Sequence, residues 1–174
     1  DNPTVFVTEA APLKPFLRAQ EQLRARDILR FDPNKINRVE IFQFGRSLTL
    51  QKLEKTASEQ PDPWQVLLKA PDGSLITQPA AAEVVKPLLQ ELRALEAVEF
   101  VSNTYTPENS AATISYGFDS PYARITLQGE ETTTLILSQP EEAAPATNPL
   151  PANLLYARVD GAPFVYTVPL SIIS

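Results

Sequence analysis

The hydrophobic pattern in the first half of the chain is that of short strands joined by tight turns. β-Prone runs cover 39–44, 47–53, 64–69 and 75–77, with turn-forming residues at 45–46 and 71–73. Apolar and polar residues tend to alternate within these runs, which is typical of strands with one buried face. Short links of this kind join antiparallel neighbours. The segment therefore predicts a four-stranded antiparallel meander.

One later segment follows a helical period instead. Its apolar residues recur every three or four positions in one stripe, which consists of Val84, Val85, Leu88, Leu89, Leu92, Leu95 and Val98. Such a stripe predicts an amphipathic helix packed on a sheet face. Pro79 suits the first helical position, whereas Pro87 predicts either a kink or a helix that begins near Lys86.

The remaining segments complete an α+β prediction. Residues 4–8 predict a strand and 16–30 a second helix near the N-terminus, while the Pro- and Ser-containing stretches 102–115 and 139–153 predict loops. Further strands are expected at 123–127, 132–137, 154–159 and 164–168. The fold class is therefore α+β: antiparallel β-sheet with one long amphipathic helix packed on a sheet face and a second helix near the N-terminus.

A short similarity links the two ends of the chain. Val165-Tyr166-Thr167-Val168 before Pro169 is similar to Val5-Phe6-Val7-Thr8, which precedes Pro12. A true repeat would make residues 1–30 the tail of a preceding unit and residues 31–174 the main domain.

The composition removes several kinds of chemistry. The chain has no His and no Cys, so it lacks the usual proton shuttle, the commonest metal ligand and a thiolate nucleophile. There is no glycine-rich phosphate motif, and neither a metal nor a cofactor is expected. A Ser-His-Asp triad is impossible, while a Ser-Lys dyad stays open. The prediction is a non-enzymatic protein.

The charge distribution speaks against nucleic acid as a partner. Residues 1–70 carry 11 Lys and Arg against 9 Asp and Glu, and residues 71–174 carry 4 against 12, so +2 and −8 sum to the net −6. An acidic surface disfavours binding to a phosphate backbone. No run reaches the roughly 20 apolar residues of a membrane span. The absence of Met indicates a processed or excised chain, so membrane contact is expected only through a segment missing before residue 1.

Two groups of residues are candidate binding sites. Trp64 is either a core residue or an exposed platform for glycan or peptide, and Tyr156, Arg158 and Tyr166 either make ordinary cross-strand pairs or form an exposed patch. The string Tyr116-Gly117-Phe118-Asp119-Ser120-Pro121 predicts a tight turn in which Asp119 caps backbone N–H groups. The alternative role of Asp119 is that of a base or ligand beside Tyr116.

These strings carry a family resemblance. Trp64, the 84–98 stripe, the 116–121 string and Tyr156-Ala157-Arg158 follow one another as in the bacterial family called domain of unknown function 4340 (DUF4340), which this chain resembles. Ser138-Gln139-Pro140 stands where the family often has a Gly. The resemblance implies an extracytoplasmic domain of a membrane-anchored protein, encoded beside ABC-transporter components of the gliding-motility type. It implies no catalytic residues.

Three functions follow as hypotheses. The leading one is a non-enzymatic extracytoplasmic module of a larger envelope protein that contacts protein partners, with transporter components as candidates. The second is a glycan- or peptide-binding module that uses the exposed aromatics. The third is a hydrolase that uses carboxylates alone, in which Asp119 pairs with Asp62, Asp72 or Asp160.

Overall fold

A computed structural model describes residues 26–54, 63–69, 73–140 and 150–173. Within them the strands are β1 (Arg38–Gln43), β2 (Arg46–Lys52), β3 (Trp64–Lys69), β4 (Leu75–Ala80), β5 (Glu99–Ser102), β6 (Ala123–Gln128), β7 (Thr132–Ser138), β8 (Leu154–Val159) and β9 (Val165–Pro169). All nine lie in one sheet, in the order β4-β3-β2-β1-β6-β7-β8-β9-β5. Each neighbouring pair is antiparallel.

Two α-helices accompany the sheet in the described part of the chain: α1 (Ala82–Arg93) and α2 (Ser110–Ser115). Short 3-10 turns cover Pro33–Lys35 and Leu170–Ile173. Neither described helix combines the length and the apolar character that a bilayer crossing requires. The coarse prediction of a mixed α and β fold built on antiparallel strands is confirmed.

The predicted meander is confirmed as β1 to β4. Its first turn is formed by Phe44 and Gly45, whose φ angles of 49° and 72° are both positive. Two consecutive positive φ values match the right-handed twist of a hairpin, and Gly45 adopts its value without strain. The strands predicted at 123–127, 132–137, 154–159 and 164–168 are also present within a residue or two, as β6 to β9.

A long-range pairing joins these two sets of strands. β1 pairs with β6 in a register that sets Val39 opposite Leu127 and Ile41 opposite Ile125. More than eighty residues separate these partners along the chain, so no local turn signal marks the pairing. The sheet is therefore continuous from the meander through β6 to β9.

One face of the sheet carries the main core. Leu50 of β2, Leu127 of β6 and Leu137 of β7 are buried there in one cluster with Val85, Leu89 and Leu92 of α1. The predicted stripe is wrong at its ends, because Val84 is 69% exposed, and Val98 lies beyond the helix and is 44% exposed. The predicted start at Pro79 is also wrong. Pro79 lies in β4, an edge strand, where a missing N–H is tolerated.

Among the described residues, the cover on the opposite face lies over its second half. There α2 and the chain around it bury Tyr105 and Phe118 against Ile136 of β7 and Val165 of β9. The prediction of a loop over 102–115 is therefore wrong at α2, and β5 was not predicted. The missing signal in α2 is its composition, since Ser, Ala and Thr dominate it and no apolar stripe develops.

The helix predicted for 16–30 is wrong over its last residues. Arg26 to Arg30 are not helical, and Asp27 forms an isolated antiparallel bridge with Glu96. Ile28 and Leu29 are buried in the main core. The rest of that helix, the strand at 4–8 and the repeat inferred from it lie outside the described residues.

Candidate functional site

Arg158 is a buried charged residue that contacts the cluster formed by Tyr105, Phe118, Ile136 and Val165. The residue lies on β8 and is only 7% exposed. Its guanidinium carbon lies 5.1 Å from the ring centroid of Tyr105 and 5.4 Å from that of Phe118, so two aromatic rings contact the cation. Its Nη1 donates to Oδ1 of Asp160 over 3.1 Å, while its buried Nε has no hydrogen-bond partner among the described residues.

The turn after α2 brings these rings onto the sheet. The Asn109 side chain accepts a hydrogen bond from the Ala112 N–H and caps α2, and the chain then reverses at Gly117, whose φ is 73°. A Cβ on Gly117 would lie 3.1 Å from the Pro140 backbone, so the close approach also favours glycine. Buried Ser138 donates its hydroxyl to the Tyr116 carbonyl and ties the turn to β7.

Tyr116 and Tyr156 close one side of this cluster. Their ring centroids are 5.1 Å apart at 70°, an edge-to-face contact. Burial raises the pKa of the Tyr156 phenol above its usual value of 10.0, and the neighbouring Tyr116 adds to the shift. The phenol therefore stays neutral at physiological pH and is not poised as a base.

Asp119 does not perform the predicted cap. The residue is exposed and makes no hydrogen bond or ion pair with the described residues. The backbone N–H groups of Gly117 and Ser120 donate to backbone carbonyls instead of to the Asp119 side chain. Asp160 is engaged by Arg158. Asp62 and Asp72, the other two acids considered as partners of Asp119, lie outside the described residues. In the described ranges no three carboxylates gather as a metal site would require.

The other predicted binding residues lie on the opposite face of the sheet. Trp64 is 5% exposed in the main core, and β3 and β8 are five strand spacings apart, roughly 24 Å. Tyr166 is 8% exposed and pairs with Ala157, so it faces away from Tyr156 and Arg158. The predicted set therefore does not form one exposed patch. The interpretations of Trp64 as a core residue and of the hairpin as ordinary cross-strand pairing fit this placement.

A cleft on the main-core face was not predicted. Its volume is about 530 Å³, and its lining includes Asp27, Arg30, Phe100, Phe164 and Tyr166. The three aromatic rings make edge-to-face and tilted contacts with one another at 5.0 to 6.3 Å. These residues come from three distant stretches of the chain, so no local sequence signal could have assembled them.

An exposed apolar edge is the second feature that sequence reasoning missed. Leu75 and Ile76 of β4 are 68% and 45% exposed, and Leu68 beside them on β3 is 36% exposed. β4 ends the sheet, and no described strand pairs with its outer side. The signal was present in the sequence, because Leu75–Ala80 contains no charged residue, although Lys and other charges commonly protect sheet edges.

Comparison with known proteins returns one match. The family model described as Domain of unknown function (DUF4340) matches residues 1–112 of the 174. No curated protein and no solved structure matches the chain. The matched part includes β1 to β5 and α1, and the strings at 116–121 and 156–158 lie beyond it.

Proposed function

Since this chain belongs to the DUF4340 family, we propose that it is a non-enzymatic, extracytoplasmic module of a larger bacterial envelope protein. That protein would be anchored through a segment preceding residue 1. Its role is to contact other proteins, and components of an ABC transporter are the candidate partners. The extracytoplasmic location, the membrane anchor and the candidate partners are supported by what the family resemblance implies.

The observation that carries the contact role is the distribution of exposed apolar side chains. Phe42 and Phe44 at the first hairpin are 44% and 70% exposed, and Leu75 and Ile76 are exposed on the β4 edge. Exposed apolar surface on a folded domain marks sites where other proteins bind. An edge strand adds unpaired backbone donors and acceptors to that surface.

The groups that could perform chemistry support a structural role instead. Arg158 is enclosed by Tyr105, Phe118 and Asp160, and Tyr156 is partly buried beside Tyr116. Asp119 is exposed and makes no hydrogen bond or ion pair with the described residues. A general acid–base pair needs two such groups within reach of one substrate.

In this proposal α1 is the cover that packs on the sheet and leaves the meander's other face and outer edge for partners. Val85, Leu89 and Leu92 share the main core cluster with strands of the sheet. The meander's opposite face has no such cover among the described residues, and its Leu67, Thr49 and Glu40 are only partly buried.

The test is capture of partners from the native envelope. The intact parent protein is cross-linked in its own membrane, purified and compared with Phe44→Lys and Leu75→Lys variants. Ile114→Lys is the matched control, because Ile114 is a 63% exposed aliphatic residue on α2, in the other half of the molecule. We expect the meander variants to lose the captured proteins and the control to retain them. Equal recovery from all variants would contradict the proposal.

A further inference from the structure

A ladder of aliphatic residues crosses the sheet and ends at its open edge. Successive members lie directly opposite each other on adjacent strands, and they are Leu135, Ile125, Ile41, Leu48, Leu68 and Ile76. Leu135 is 1% exposed, Leu68 36% and Ile76 45%. The ladder thus leaves the core and reaches the outer strand without a further apolar neighbour among the described residues.

Every second residue of β4 points its backbone N–H and C=O groups toward the outer edge of the sheet. The Leu53 N–H donates to the Pro63 carbonyl over 2.8 Å. Because hydrogen-bonded positions alternate along an antiparallel pair, the odd-numbered residues of β3 form backbone hydrogen bonds with β2. The even-numbered residues of β3 then bond to β4, through Ile76, Gln78 and Ala80. Leu75, Thr77 and Pro79 therefore direct their backbone groups outward, and Pro79 loses no bond to β3 by lacking an N–H.

We infer that the β4 edge is the interface of a two-fold symmetric dimer, in which β4 pairs antiparallel with β4 of a second copy around Ile76. This goes beyond the proposed function, because a second copy then occupies the outer edge and the meander's other face is left for the envelope partners. In this register each copy's Leu75 and Thr77 exchange backbone hydrogen bonds with Thr77 and Leu75 of the other. Pro79 falls opposite Gly73, where the pairing ends, and each Ile76 faces its own counterpart.

The edge is suited to its own copy for two reasons. A strand without charged residues meets no like charge when it pairs with itself, and Leu75–Ala80 has none. The aliphatic ladder is also completed, because Ile76 and Leu68 of the second copy continue the row beyond Ile76 of the first. An isologous contact of this kind closes after two copies and leaves no further β4 edge to pair.

The register can be tested by cysteine cross-linking, because the chain has no native Cys. Directly opposed, non-hydrogen-bonded residues have Cα atoms about 4.5 Å apart, within disulfide range, whereas diagonal neighbours are about 7–8 Å apart. Ile76→Cys on the full chain should therefore oxidise to a covalent dimer at least an order of magnitude faster than Leu75→Cys. Val84→Cys, at a 69% exposed site on α1, measures random encounter.

Sedimentation of the unmodified chain completes the test. We expect a mass twice that of one chain that falls to one on dilution, and loss of the dimer in Ile76→Lys but not in Val84→Lys. A monomer at all concentrations, or a dimer that survives Ile76→Lys, overturns the inference. If the chain is monomeric while Leu75→Lys still abolishes capture of an envelope protein, the dimer is wrong and the proposed function stands.

Discussion

The two halves of the sheet are covered to different extents. Around β6 to β9 both faces are packed, so that four consecutive residues of β7, Leu135 to Ser138, are all buried. In β4, by contrast, every residue before Ala80 is exposed. A strand with two covered faces needs a run of apolar or small residues, while a strand with one covered face alternates. The second half therefore contributes more to stability, and the first half keeps more of its surface exposed.

Matched leucine truncations should give the largest difference between the halves. Leu155 is fully buried in β8, and Leu68 is 36% exposed in β3. We expect Leu155→Ala to lower the free energy of unfolding by about 3–5 kcal/mol, because it leaves a cavity, and Leu68→Ala by about 1 kcal/mol. Urea denaturation followed by the fluorescence of Trp64 measures both. Equal losses of stability would contradict the conclusion that the second half contributes more to stability.

Substitutions of Arg158 test whether packing or charge stabilises the second half. Arg158→Ala should cost about 2–3 kcal/mol, since it removes the stem and the cation from the Tyr105 and Phe118 rings. Arg158→Met keeps most of that contact without a buried charge and should cost about 1 kcal/mol or less. The control is exposed Arg124→Ala on β6, expected within about 0.5 kcal/mol. An equally large loss in Arg158→Met would show that the charge itself stabilises the cluster.

The smallest effect is a pH dependence confined to the second half. Burial raises the pKa of folded Tyr156 above 10.0, so the unfolded chain loses this proton first as the pH rises. The stabilising contribution is complete below the unfolded pKa and is lost as the pH rises through the folded one. Between about pH 9 and about pH 11 the wild type should lose more stability than Tyr156→Phe. Denaturation midpoints of the two proteins across that range provide the measurement, and parallel curves would contradict it.

Local patterns predicted the strands better than the site. The four runs of the meander and the later hairpins carried alternation and turn residues such as Asp160-Gly161, which act within a few positions. α2 carries no apolar stripe, and β5 is too short to show a period. The candidate binding residues could not be grouped from the sequence for another reason. Side chains alternate between the two faces of a strand, so the pairing of Tyr166 with Ala157 places Tyr166 and Tyr156 on opposite faces of the sheet. That register is not visible in the sequence.

The meander, most of the later strands, the helical segment and the lack of His and Cys chemistry follow from residue types and near neighbours along the chain. Three features become visible only in the folded sheet: the pairing of β1 with β6, the enclosure of Arg158 by Tyr105 and Phe118, and the exposed end of the aliphatic ladder at Ile76. Those features join residues far apart in the chain, and only the packing of the whole sheet selects one pairing among many.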